Sequence, residues 1–410
     1  MALMTEEDKM KEGKELYDYR VRLYRDAQSW IKPDRIPVNL NMFAWMFFDA
    51  GYTLGTASRN YDIIEECMIR CIHEYPCDQI NVTNSGFRNT FLLQDALGSS
   101  HTYAQNTDQV NAIIEDVMLS DEYDEYVEDS NKLLWEKVLF RLYPAAKELN
   151  AEQFAMAAKT MLDYKNARKR IDDRMRNEFG ILCDNMLTMT AVNENERSMQ
   201  SLAPAIDTFF NWLRGLKGIA MDLRRCPDKL KEACDVIDES NYINMKANYE
   251  AIGYGHDMTT PYDSIGGMLA WTILNQKNFD IFYAPVFKRY LDLAQSMGKQ
   301  IICWSEGSWA RFGDFFNEWD RGTLNLMVEM DDPYELRKSF PNICITGGLD
   351  TTVIGHGTVQ QCLDMTKKSI DELGRDGGLV LSPSKMITFH NDATPENLKA
   401  ITNFALEYRW

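Results

Sequence analysis

Apolar positions along the chain change period several times, and each change marks an element. In residues 1–33, Leu16, Tyr17, Tyr19, Val21, Leu23 and Tyr24 recur among charges, which predicts a helical lead-in that stops at Pro33. Residues 35–40 then read as a first strand and 79–82 as a second. Between them Ile63, Ile64, Cys67, Met68, Cys71 and Ile72 recur at helical spacing. From about 105 to 180 the pattern is helical and acidic, with 121–129 as its most charged stretch, read as a solvated loop or helix face. No Gly/Pro/Ser-rich linker flanks that region, so it reads as a helical insertion in one domain spanning 1–410 rather than as a second domain.

After 180 the alternation becomes regular. Residues 181–183 open a strand, 222–239 form a helix with Pro227 at its joint, 249–254 are a strand candidate, and 279–297 are an amphipathic helix. Four compact strands follow at 300–304, 324–329, 342–346 and 378–381. Asp332-Pro333 and Thr394-Pro395 each place a capping side chain before a proline at the first helical position, and Gly374 ends a helix that begins near Thr358. Strands separated by helices imply parallel βα units, and no short-period repeat interrupts them.

The charge narrows the partners. With 62 acidic against 44 basic residues, the net charge of −18 repels phosphate backbones and anionic membranes. No apolar run approaches the ~18–20 residues that span a bilayer, and the opening stretch through Lys14 is polar and acidic, unlike a secretory leader. The nine cysteines include no CxxC pair, and Cys67 and Cys71 sit four apart on an apolar helix face, which favours buried thiols over a metal site. The expectation is a cytoplasmic chain with reduced thiols.

Several segments of the C-terminal 200 residues carry a resemblance. The run from Gly298 through Ile301, Cys303, Trp304 and Glu306 to Gly307 is similar to a strand ending in a His-x-Cys-Gly turn. Ile343 to Asp350 resembles a "GGID" strand, and Gly357-Thr358 a helix-opening "GT". The stretch from Gly377 to Pro383, followed by Thr394 to Asn397, resembles a closing "GGYILSP…TPEN" pattern. With Asp34 to Val38 and Asp228 to Asp235 upstream, these pieces lie in the order and spacing of the uroporphyrinogen decarboxylase superfamily. The resemblance covers most of the chain outside 105–180. It implies a (β/α)8 TIM-type barrel with an N-terminal helical extension and a helical insertion, and by analogy a homodimer.

The superfamily contains tetrapyrrole decarboxylases and methyltransferases that work with corrinoid proteins. The decarboxylases bind substrate carboxylates through an Arg-Gln-Ala-Gly-Arg stretch; here Phe48, Asp49, Ala50, Gly51 and Tyr52 stand in its place, without either arginine. Decarboxylation is therefore disfavoured. The thiol-activating methyltransferases hold zinc by His-x-Cys and a later cysteine, where this chain has Trp304, Glu306 and Lys385. The Glu-Gly turn resembles instead the branch that demethylates aromatic methyl ethers, some members of which bind zinc through Glu and His. That branch implies methyl transfer from a small methylated aromatic donor to the Co(I) corrinoid of a separate partner protein.

Carboxylate and imidazole side chains near strand ends supply the candidate chemistry. Glu306, Glu329 and His356 are expected to hold Zn2+ with one position open, so that the metal stabilises the departing oxyanion. A phenolate (pKa ~10) needs less help than an alkoxide. His256 or Asp257 is expected to relay a proton, and Tyr254, Trp304, Trp309 and Asp350 to line the substrate site, with Phe312 a further ring for an aryl group. Each acid also fits a cap or salt bridge and each histidine a packed or surface position. Asp320, Glu335 and His356 form an alternative ligand set. Cys303 alternates away from Glu306 and so faces the surrounding helices. The chain has no cobalamin-binding Asp-x-His-x-x-Gly pattern, which makes a separate corrinoid protein part of the reading. Transfer in the opposite direction, from methylcorrinoid to an acceptor, and a barrel that only binds remain the alternatives.

Overall fold

A computed structural model describes residues 6–80, 96–97, 116–183, 200–201 and 203–409. Apolar runs flanked by turn residues become eight parallel strands: β1 (Asn39–Leu40), β2 (Gln79–Ile80), β3 (Gln200–Ser201), β4 (Ser264–Met268), β5 (Ile301–Ser305), β6 (Leu324–Met327), β7 (Cys344–Leu349) and β8 (Leu379–Pro383). Strands β3 to β8 pair in sequence order as one parallel sheet, while β1 pairs with β2. Single bridges, Val38 with Leu381 and Met42 with Ile387, carry the pairing from the β8 side to the β1 side, and Gln79 with Leu182 extends it past β2. The fold is mixed α/β, with helices in the connections between strands.

Both faces of the sheet are covered, which is why its strands read as nearly continuous apolar runs. Ile301, Cys303, Leu324 and Leu326 pack outward into the main core against the helices. Tyr262, Ile265, Ile302 and Met327, joined by Trp304, form a separate cluster on the other face. Cys303 therefore lies among the helices, as alternation along the strand requires. Helix α1 (Glu6–Gln28) closes the amino ends of the strands: its Val21 and Tyr24 pack on Leu182, Cys344 and Val380.

Helix α2 (Tyr61–Glu74) buries Cys67, Cys71 and Ile72, and none of the nine cysteines is in a disulfide. The acidic stretch at 121–129 begins the helix Tyr123–Leu133, with Tyr123 and Tyr126 buried. The long helix α3 (Ala151–Phe179) starts in a capping box between Asn150 and Gln153. It crosses α1 so closely that a Cβ on Gly13 would stand 2.0 Å from the Asn177 carbonyl oxygen, so only glycine fits there.

Two expectations change. The stretch 249–254 is no strand: α4 (Gly215–Arg225) ends at Cys226, and α5 (Pro227–Ile252) runs through Tyr249, which shares a buried face with Met245 four residues earlier. The strand lies later, at β4, where Gly266 and Gly267 dilute the β-forming signal. The expected helix over 279–297 is two, Gln276–Phe282 and α6 (Ala284–Ser296), with Pro285 in the first turn of the second. Among the described residues, no helix is long and apolar enough to cross a membrane.

Candidate active site

In a parallel α/β fold the carboxyl ends of the strands present loops free to carry chemistry. Here Glu306 follows β5 directly, Glu329 lies two residues past β6, Lys385 two past β8, and Asn41 follows β1. Asn41, Trp304, Met327, Glu329, Thr346 and Lys385 line a pocket of about 220 Å³ including its opening, with room for about one water-sized guest. The strands approach closely at this rim: a Cβ on Gly347 would stand 3.3 Å from the carbonyl oxygen of Val328, the residue before Glu329.

Asp331 stitches the two acidic turns together. Its carboxylate accepts from Ser308 Oγ and from the Trp309 backbone N–H, while Trp309 Nε1 donates to the Met327 carbonyl at 2.7 Å. Ser305 Oγ accepts from Gly307 N at 3.0 Å and shapes the turn that carries Glu306. Burial raises the Glu306 carboxyl, although much of that side chain is open to solvent; the crowding is on its protein-facing side. Glu329 is half-buried. Burial first, and the neighbouring Glu306 charge second, push it up to about 7, against a smaller pull from Lys385. Among the described residues, neither acid is paired with an arginine. Lys385 is held by Asp392 at 2.9 Å. Asn41 is 3% exposed, and its Oδ1 has no hydrogen-bond partner, an uncommon state for a buried acceptor.

The sequence-selected residues separate into two groups. Glu306, Glu329 and Trp304 do meet at the carboxyl rim. Asp350 lies at the end of β7, but its side chain caps helix α7 (Thr351–His356) by accepting from Thr352 N at 2.7 Å. Trp309 is fully buried among Trp271 and Phe316, and Phe312 is buried beside them, so both rings belong to the core rather than to a substrate surface. His356 is exposed on the last turn of α7.

His256, Asp257 and Tyr254 stand at the opposite pole, because the segment that holds them precedes β4 instead of following a strand. His256 Nδ1 lies 3.2 Å from Asp263, the residue before β4. The Asp257 side chain accepts from Thr259 N at 3.0 Å in a local turn, and Tyr254 is 81% exposed. Arg25 of α1 makes a two-pronged contact with Asp263 at 3.0 and 3.1 Å, and Gln300 N adds a third donor at 2.8 Å. Burial pushes the Asp263 carboxyl up, but His256, Arg25 and the backbone donors outweigh it and bring it to about 2. Asp78, before β2, is likewise bound by Arg35 at 2.6 Å through both oxygens and by Arg20 at 3.1 Å. These donors and charges overcome burial and lower it.

The metal expectation meets its test in the donor set. Among the described residues, no three His, Cys, Asp or Glu side chains converge closely enough to hold a metal ion. Glu306, Glu329 and His356 do not form a triad, nor do Asp320, Glu335 and His356. Among the described residues, the expected zinc ligands do not come together. Asn41, Asp331 and Lys385 are the residues that sequence reading missed as site members. Lys385 is marked only as the replacement for a cysteine, although all three lie just past strand ends, where that position was the available signal.

The sequence matches no protein-family model and no curated protein. Among solved structures the fold is similar to that of a methyltransferase from Methanosarcina mazei, with 13% identity and a TM-score of 0.57 over 95% of this chain and 98% of that chain.

Proposed function

We propose that the chain is a methyltransferase whose strands close into an eight-stranded (β/α)8 barrel, and that it moves a methyl group from a small O-methyl donor, an aromatic methyl ether, to a Co(I) corrinoid carried by a separate protein. The reading rests on one observation: a half-buried carboxyl, Glu329, held near neutrality at the carboxyl rim of a parallel fold. The likeness in fold to a solved methyltransferase supports it.

The corrinoid, as methyl acceptor, supplies the electron pair that forms the new bond to carbon. The carbon–oxygen bond breaks with its electrons going to oxygen, and that oxygen needs a proton. Glu329 carries one over the pH range where an ordinary carboxyl has lost it. Trp304 offers the adjoining ring face. Burial first and the Glu306 charge second keep Glu329 protonated, and Asp331 holds the two turns in register. The acid pair thus takes the task that zinc was expected to perform.

The test is to incubate the protein with 2-methoxyphenol and free Co(I) cobalamin and follow methylcobalamin spectroscopically. Methylcobalamin and catechol in equal amounts are expected, with Glu329→Gln inactive and folded. A Glu329→Gln variant as fast as the parent, or no turnover across a panel of aryl methyl ethers, would remove the proposal.

A further inference from the structure

We propose that Asp207 is a positioning residue for Glu306: it sets the turn after β5 through the loop after β4. The inference rests on the rim carrying the chemistry proposed above, and it names a residue two strands away on which that chemistry depends. A continuous run of hydrogen bonds between three successive strand ends carries it. Past the end of β3, one Asp207 oxygen accepts from Leu269 N at 2.8 Å and Ala270 N at 2.6 Å, and the other from the Tyr283 hydroxyl. Leu269 and Ala270 directly follow β4. The Tyr283 oxygen in turn accepts from Trp271 N at 3.2 Å, and the Trp271 indole N–H donates to Ser305 Oγ at the end of β5. The same Ser305 oxygen takes the Gly307 N–H, which closes the turn around Glu306.

A carboxylate suits this place, and a packed apolar side chain does not. Asp207 is 4% exposed and, among the described residues, its partners are two backbone N–H groups and a phenol, with no cation. Burying an acid without a cation is costly. What three donors require is two oxygens that both accept, and an asparagine offers one. Trp271 is fully buried, and a Cβ on Gly307 would stand 3.2 Å from its Nε1 and 3.0 Å from Thr272 Cγ2. The β5 turn is thus seated directly on the β4 loop. Arg311 fastens the two again, donating to the Leu274 carbonyl at 2.7 Å and to that of Thr272. On its other flank the same turn is tied through Ser308 and Trp309 to Asp331, just past Glu329. Glu306 therefore sits in a turn held from both neighbouring strand ends, with Asp207 anchoring the β4 side.

Carboxyl-carbon NMR of the full chain, with the Glu306 signal assigned by Glu306→Gln, tests the proposal. Asp207→Asn loses one acceptor oxygen and is expected to displace the Glu306 signal. Hydrogen exchange across 305–311 is expected to run about tenfold faster in that variant, with β7 and β8 at parent rates. Tyr283→Phe removes a single hydroxyl and is decisive should Asp207→Asn fail to fold; the same two changes are expected, at smaller size. Tyr290→Phe is the control. Tyr290 is also fully buried and donates to an acid, Asp238, outside this run, so both readouts are expected to stay at parent values. An unmoved Glu306 signal in the folded variants, exchange that rises equally along the whole chain, or a Tyr290→Phe effect as large as that of Tyr283→Phe each overturns the assignment. With 2-methoxyphenol and Co(I) cobalamin, both Asp207→Asn and Tyr283→Phe are expected to lower kcat about tenfold at unchanged KM; unchanged kcat beside an active parent overturns it too. A parent without turnover removes the catalytic reading and leaves the coupling to be judged by NMR and exchange alone.

Discussion

The two ends of the parallel sheet treat their acids in opposite ways. At the amino pole, Asp263 and Asp78 are buried against two-pronged arginines and backbone N–H groups, and both carboxyls are lowered. At the carboxyl pole, Glu329 and Glu306 have no arginine among the described residues, Glu329 feels the Glu306 charge, and both are raised. Burial is common to all four acids except for the open side of Glu306; what differs is the partner. A paired acid fastens elements together, here α1 to the start of β4 and the β1 lead-in to β2. A crowded and unpaired acid keeps a proton available near neutrality. Paired acids thus lie at one pole and raised acids at the other, where parallel α/β folds carry their functional loops.

The sharpest break of that contrast is at the carboxyl pole. Glu329→Gln should lower the rate of methyl transfer by about 10²–10⁴, the usual contribution of a positioned general acid, while chemical denaturation at about pH 4, where the parent acid is protonated, shows little change in stability. At the amino pole the effect should be on folding alone. Arg25→Ala leaves the Asp263 charge buried without its main cation and should cost about 3–5 kcal/mol in a urea titration.

Acid titration separates the poles without mutation. Asp263 ionises at about 2 in the folded chain against 3.8 for the free group. Its contribution is therefore complete above the unfolded value and lost as pH falls from about 4 toward 2, a loss of about 2 kcal/mol. Glu329 has the reverse sign. Its folded value lies above the unfolded one, so it lowers stability as pH rises from about 4.5 to 7. Denaturation midpoints across pH 2–8 should show both slopes, and Glu329→Gln should flatten the neutral one only. The smallest effect belongs to His356. Exposed at the end of α7, it should tolerate alanine within about 0.5 kcal/mol, with unchanged turnover; a large loss of activity would return it to the site.

What was legible along the chain was whatever depends on neighbours in sequence. The strands β5 to β8, the caps at Asp332 and Thr394, the buried face of Cys67 and Cys71, and the rim positions of Glu306 and Glu329 all follow from period, capping chemistry and strand ends. The strand β4 was hidden by its two glycines, and that one shift moved His256, Asp257 and Tyr254 from the expected rim to the opposite pole. Tertiary structure alone decided which acids meet an arginine and which meet another acid. Arg25 and Asp263 are 238 residues apart, and no local pattern encodes that pairing. The same holds for Asn41, whose orphaned oxygen becomes visible only when the end of β1 is set beside those of β6 and β8. Local propensity writes the elements into the sequence; a charge acquires its meaning from the partners that folding brings to it.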